Sequence, residues 1–248
     1  MQKEFGKGHM MTIVVTMAGL GTRFKEAGYD IPKYKIKAKG KTLFEWSMES
    51  LLGYLREENV YIFIVRKEDE AEPFIRNICG NMGITHIKVV EIKEPTDGQA
   101  TTAMLARKFW DKKSSLLIYN IDTYVEAGEM NEEQIKGDGF IPCFFAMGSH
   151  WSFVQIGEDG RAIQVREKER ISPYCTLGAY YFKTCALYEE LYNEYYKREE
   201  HMEKGEKYVA PLYNHLIKKG GEVRICTIDS EKVHVLGTPE ELKEFLQK

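Results

Sequence analysis

The chain has 248 residues, 43% of them hydrophobic and 29% charged, with a formal net charge of -3. This is the balance of a soluble globular protein with enough chain for a sizeable core, and it excludes a disordered chain. The lack of any basic excess argues against general nucleic-acid binding, so affinity for phosphate belongs to a local site.

Residues 1–10, MQKEFGKGHM, carry no periodicity and are expected to be a flexible extension or a tag remnant. Ile13, Val14 and Val15 form a short β-branched run that suits a buried strand. Ala18-Gly19-Leu20-Gly21-Thr22-Arg23-Phe24 follows. Two glycines one residue apart, directly after a strand, allow a tight turn whose backbone N–H groups converge on an anion. Arg23 adds a planar donor fork suited to phosphate, and Lys33 follows the stiff Pro32. A dinucleotide fingerprint needs a third glycine where Phe24 stands, and a Walker A loop needs a Gly-Lys-Ser/Thr ending that is absent. A plain glycine turn between strand and helix is the alternative, and Arg23 with Pro32-Lys33 weighs against it.

Further along, Thr42 to Leu55 shows helical spacing with Thr42 as N-cap, and Val60 to Val65 is a second buried strand. Glu68 to Ile78 reads as helix, with Glu72-Pro73 either a weak point or the true start. His86 to Ile92 alternates as a strand, Thr101 to Trp110 is helical, and Ser115 to Tyr119 is a strand ending at Asn120-Ile121-Asp122. Strands alternating with helices predict a mostly parallel sheet covered on both faces, with ligands beyond the carboxyl ends of the strands. Arg23, Gly98 and Asp122 all fall there.

From Phe140 onward the pattern turns antiparallel. Strands are expected at Phe140 to Met147, Ser152 to Ile156, Ala162 to Arg166 and Cys175 to Phe182, with Glu158-Asp159-Gly160 as a hairpin turn. Helices over Thr184 to Lys197 and Tyr208 to Lys219, a strand at Val223 to Ile228 and a closing helix at Pro239 to Leu246 complete the chain. No repeat or linker divides it. The expectation is a single α/β domain over 11–248, with a mixed, mostly parallel central sheet flanked by helices and an antiparallel acceptor-side subregion. The five cysteines are scattered without a C-x-x-C pair, which points to reduced thiols in a cytoplasm and away from zinc. No apolar run is long enough for a bilayer and no signal peptide is visible, so no membrane partner is expected.

Gly19-Leu20-Gly21-Thr22-Arg23 with Pro32-Lys33 resembles the signature of the nucleotidyltransferase superfamily, which includes the sugar-phosphate nucleotidylyltransferases. The compact Met17-Ala18-Gly19 and the long insert from Phe24 to Pro32 look most like small capsule-type members, among them a cytidylyltransferase acting on phosphorylated glutamine. The resemblance runs from Ile13 to Leu246. It implies a Rossmann-type fold like that of the nucleotide-diphospho-sugar transferases, with a nucleotide-binding half at about 11–139 and an acceptor-binding half at about 140–248. It implies that Met17, Ala18, Gly19, Leu20, Gly21 and Thr22 wrap the phosphates of a nucleoside triphosphate. Arg23 and Lys33 become the catalytic cations, on the leaving pyrophosphate and the reacting phosphates. The loop with Glu94, Gly98 and Gln99 holds the base, since an amide offers both donor and acceptor. Asp122 holds Mg²⁺. Glu167 and Lys168 meet the acceptor and its phosphate, beside a wall that includes Gly178.

Two departures stand out. Glu169-Arg170 follows Glu167-Lys168 where the family often has Pro, so the acceptor need not be an ordinary hexose. Before Gly237 the family usually carries an Asp as second metal ligand, two residues upstream, and this chain has Val235. His234 is a substitute metal ligand by position, although magnesium prefers oxygen. For each of these charged residues a plain structural role is the alternative: a capping Asp, a solvated charge run, a helix-starting Gly237-Thr238-Pro239-Glu240.

The expected activity is transfer of a nucleotidyl group, CMP on the resemblance, from a triphosphate to a phosphorylated small molecule with release of pyrophosphate, for surface-polysaccharide precursors in the cytoplasm. A glycosyltransferase using a nucleotide sugar is one alternative, although it should carry Asp-x-Asp where Asn120-Ile121-Asp122 stands. A non-catalytic nucleotide-binding module is another. Self-association into a homo-oligomer is left open.

Overall fold

The computed structural model describes residues 10–248; the expected extension at 1–10 lies almost wholly outside the described residues. In chain order the elements are β1 (Met11–Thr16), α1 (Thr22–Glu26), β2 (Lys37–Ala38), β3 (Lys41–Thr42), α2 (Leu43–Glu49), β4 (Val60–Arg66), α3 (Glu72–Asn81), β5 (Ile87–Ile92), α4 (Gln99–Met104), β6 (Ser115–Asn120) and β7 (Thr123–Val125). Then come β8 (Gly139–Phe145), β9 (Ser152–Ile156), β10 (Ala162–Glu167), β11 (Tyr174–Thr176), β12 (Ala179–Phe182), α5 (Cys185–Tyr195), α6 (Leu212–Lys218), β13 (Val223–Thr227), β14 (Val233–Val235) and α7 (Pro239–Gln247).

One mixed sheet organises the domain, in the order β10-β9-β11-β8-β12-β6-β1-β4-β5, with β13 on β8. Strands β6, β1, β4 and β5 are parallel. Alternation along them explains why they read as unbroken apolar runs. Ile13 and Val15 enter one core and Val14 the other; Tyr61, Phe63 and Val65 face away from Ile62 and Ile64. The first core takes Phe44 and Met48 of α2 and Ile75 and Cys79 of α3, and the second takes Ala103 of α4, Tyr188 of α5 and Leu212 of α6. Helices therefore cover both faces. From β6 outward the sheet continues with antiparallel pairs, β12 on β6 and β8, then β11, β9 and β10.

The chain runs β1, β4, β5 to one side, then crosses back to lay β6 on the other side of β1. That reversal opens a crevice at the carboxyl ends of β1 and β6, where Thr16 and Asn120 are register partners.

Several expected boundaries shift for local reasons. The helix expected to run to Leu55 ends at Glu49, with a single 3-10 turn over Leu52–Tyr54 after it. Its start is as expected: Thr42 and Glu45 form a reciprocal capping box. Pro73 marks the start of α3, in its first turn. The single strand expected at Cys175 to Phe182 is two strands, because Gly178 takes φ +87° between them. A side chain there would collide with Asn120, so glycine lets the chain stay paired with β8 while its other neighbour changes from β9 to β6.

Candidate active site

The crevice is a cleft of about 830 Å³ that spans both parts of the sheet. Its lining brings together Met17, Ala18, Gly19, Leu20, Gly21, Thr22, Arg23, Lys33, Gly98, Gln99, Asp122, Glu167, Lys168 and Gly178, contributed by distant parts of the chain.

The glycine turn leaves β1 and enters α1 with Gly21 left-handed at φ +64° as N-cap. Side chains added at Gly19 or Gly21 would meet nothing within 4 Å, so the turn presents bare backbone to the cleft. Phe24 is buried behind it and anchors the loop, while Arg23 stays exposed. Lys33 opens a 3-10 turn after Pro32 and places its Nζ 2.7 Å from Asp122 Oδ2. Asp122 sits in the turn from β6 to β7, its side chain 28% exposed. Burial alone would raise its carboxyl pKa, but the Lys33 ammonium and its hydrogen bond, with Arg23 further off, hold it below the ordinary carboxylate value.

Gln99 begins α4 and turns its amide nitrogen to Thr16 Oγ1 at 3.2 Å and to Asn120, bridging the paired ends of β1 and β6. Gly98, at φ +131°, crosses so closely over Lys207 that a Cβ would strike its backbone. The Lys207 amide donates to Asp97 O at 2.7 Å, and its Nζ lies 2.7 Å from Asp97 Oδ2. Glycine at 98 thus has a packing reason independent of any ligand.

On the antiparallel side, Glu167 ends β10 and is buried, accepting from Ser152 Oγ. Burial raises its carboxyl pKa; the Ser152 hydroxyl and Lys168 oppose this, and Glu203 and Glu206 add to it, for a net rise. Lys168 has left-handed backbone, φ +55°, and its Nζ donates to Tyr208 Oη at 2.6 Å. Tyr208 and Glu206 complete this wall from the segment before α6. Sequence reasoning did not single them out, because nothing local marks that segment as facing Lys168.

Two expected members lie elsewhere. Glu94 is exposed and the loop meets the cleft through Pro95 and Thr96 instead. His234 does not line the cleft. It pairs with Tyr124 across the β14–β7 ribbon and stacks on that ring at 5.2 Å, with Phe245 at 5.3 Å. Strand alternation decides this: Val235 lines the cleft, so its neighbour His234 points to the other face. Burial lowers the His234 pKa, with Lys248 and Lys39 acting in the same direction against Glu126.

Glu241, in the first turn of α7, also lines the cleft, and its Oε2 is buried without a hydrogen-bond partner among the described residues.

A solved nucleoside-diphosphate-sugar pyrophosphorylase from Vibrio cholerae RC9 is 36% identical to this chain, over 95% of it and 100% of that protein, with a TM-score of 0.88. The chain belongs to the nucleoside-diphosphate-sugar pyrophosphorylase family. It is thus a nucleotidyltransferase with the fold of the sugar-phosphate nucleotidylyltransferases. The inositol-1-phosphate CTP transferase of T. maritima has the same fold at 15% identity and TM-score 0.76, over 97% of this chain and 95% of that one. So does a putative glucose-1-phosphate thymidylyltransferase from Bacillus anthracis, at 14% identity and TM-score 0.76, over 96% and 94%. No protein-family model matches the chain, and no curated protein does either. Family membership gives nucleotidyl transfer as the reaction. No helix among the described residues is long and apolar enough to cross a membrane.

Proposed function

We propose that this nucleotidyltransferase moves CMP from CTP to a phosphorylated small molecule, a sugar phosphate or a phosphorylated amino acid such as phosphoglutamine, in the cytoplasm, as a step toward a surface polysaccharide. Residues 11–139 form the nucleotide-binding half and residues 140–248 the acceptor-binding half. The observation that carries the reading is one cleft with two cationic ends, Arg23 and Lys33 beside the bare glycine turn, and Lys168 on the antiparallel wall.

An acceptor phosphate oxygen forms the new bond to the α-phosphorus, and the bond from that phosphorus to the β-phosphate oxygen breaks. The electron pair leaves with pyrophosphate. The nucleophile is already an anion, so no general base is required, and catalysis rests on alignment and charge neutralisation. The Gly19–Thr22 backbone and Arg23 hold the departing pyrophosphate. Lys33 and Lys168 draw two like-charged reactants together. Glu167, buried with its carboxyl pKa raised by that burial, orients the acceptor through its hydrogen-bonding oxygens. Gln99, anchored on Thr16 and Asn120, sets the edge against which the base lies.

The residues present fit a magnesium ion: Asp122 has its carboxyl pKa held down by Lys33 and is partly open to the cleft, and the buried Glu241 Oε2 near it lacks a partner among the described residues. Asp122 is the carboxylate that would hold the ion, whose chemistry when bound is to neutralise charge on the phosphates. The test is a screen of the four triphosphates against sugar phosphates and phosphorylated amino acids, read by pyrophosphate release. Release with CTP and a phosphorylated amino acid or sugar is expected. Release with another triphosphate alone overturns the base assignment.

A further inference from the structure

The resemblance drawn from the sequence implies an Asp where this chain has Val235, and Val235 faces the cleft opposite Thr123, next to Asp122. The missing carboxylate has a replacement four residues past Gly237. Thr238 caps α7, its Oγ1 accepting from the Glu241 amide at 3.1 Å. With Thr and Glu at this spacing, the Glu carboxylate ordinarily returns to the backbone N–H of the cap. The same sequence logic is satisfied in α2, where the Thr42 amide donates to Glu45 Oε2 at 2.7 Å. Glu241 does not return. Its Oε2 stands buried and unpartnered among the described residues. It lies 3.5 Å from the point that a Cβ on Gly237 would occupy, and Asp122 Oδ2 lies 3.3 Å from that same point.

Two carboxylates turned toward one point repel each other, and a buried oxygen without a donor is costly. Lys33 answers the charge of Asp122, but it does not reach Glu241 Oε2. A hard cation held by Asp122 and Glu241 gives the buried Glu241 oxygen the partner it lacks, and magnesium accepts a pair of carboxylates with phosphate oxygens and waters completing its shell. We propose that Glu241 is the second carboxylate of the divalent-cation site, replacing the side chain that Val235 does not supply. The inference rests on the reading of Asp122 as a metal-holding residue.

The experiment is Mn²⁺ binding to the full chain in the presence of a non-hydrolysable α,β-methylene CTP analogue, followed by electron paramagnetic resonance. Metal-free melting temperature is measured on the same samples. Glu241→Gln should weaken Mn²⁺ about tenfold or more, since even outer-shell changes around metal ligands cost that much. Its metal-free melting temperature should hold or rise, because Oε2 makes no hydrogen bond among the described residues for the variant to lose. The double variant Val235→Asp/Glu241→Gln should recover the affinity, with the carboxylate returned to the position the family uses. Unchanged Mn²⁺ affinity in Glu241→Gln overturns the inference, as does a loss that the double variant fails to recover. Asp122→Asn run in parallel separates the two readings. If it alone loses Mn²⁺, the assignment of Glu241 fails while that of Asp122 stands; if neither variant loses Mn²⁺, both fail.

Discussion

On the parallel side of the sheet, cleft residues lie in the loops that leave strand ends: the glycine turn after β1, the loop from β5 to Gln99 and Asp122 after β6. On the antiparallel side the cleft is assembled from pieces that meet only on folding. Glu167 ends β10 and Lys168 follows it, Gly178 sits between β11 and β12, and Glu206 and Tyr208 arrive from the segment before α6. The difference follows from the architecture. Parallel strands linked by crossovers all end at the same edge, so a turn at each end faces a common crevice. Antiparallel strands end alternately at opposite edges, and their contribution to one crevice depends on bends, bulges and neighbouring loops. On the proposed reading, the parallel side is the fixed frame for a triphosphate and the antiparallel side is where acceptor identity can vary.

Variants on each side should therefore fail in different ways. The largest effect is expected from Asp122→Asn, which keeps the shape but removes the charge paired with Lys33. Magnesium-dependent turnover should be abolished, with weak triphosphate binding retained. Near-normal turnover at low magnesium would remove the metal from Asp122. Arg23→Ala comes next, at about 3–4 kcal/mol of transition-state stabilisation, comparable to losing a strong preorganised donor. Since Arg23 is exposed, its melting temperature should not move. A variant that melts early but keeps its specific activity would make Arg23 structural.

Lys168→Ala tests the other side. Acceptor kcat/KM should fall by about 2 kcal/mol or more while triphosphate affinity by calorimetry is little changed. Equal losses on both would erase the distinction between the two sides. At the seam, Gly178→Ala forces a Cβ into Asn120 and a left-handed backbone on alanine. A stability loss of roughly 1–3 kcal/mol is expected by denaturant unfolding. No loss would mean that the passage from β11 to β12 tolerates a side chain.

The smallest effect is expected from His234→Phe, which keeps the stack on Tyr124. The His234 pKa is lowered from its ordinary 6.5, by burial first, then by Lys248 and Lys39, against Glu126. The unfolded chain therefore binds this proton more readily than the fold. The imidazole's contribution is complete above the unfolded value and is lost as pH falls through the folded one. At pH 8 the variant should match the parent within about 0.5 kcal/mol. At pH 5 it should melt higher than the parent. A raised magnesium requirement in this variant would instead make the imidazole a ligand.

The sequence by itself determined the parallel frame and the turn on β1. Buried parallel strands carry unbroken β-branched runs, and a glycine pair between strand and helix is a local signal with local causes. It also marked Asp122, Glu167 and Lys168, since each stands at a strand end whose run is visible. What only the tertiary structure decided depends on contacts between distant segments. The pairing of β14 with β7 turned His234 to the aromatic cluster and Val235 to the cleft. The crossing of Lys207 over position 98 gave that glycine a packing reason, and the kink at Gly178 divided an apparently continuous strand. Glu241 read as an ordinary acid in the first turn of a helix. Its oxygen near Asp122, unpartnered among the described residues, is placed there because the β14 ribbon carries α7 against the turn after β6. Burial and the absence of a partner are properties of the packed chain, and residue order along one segment does not encode them.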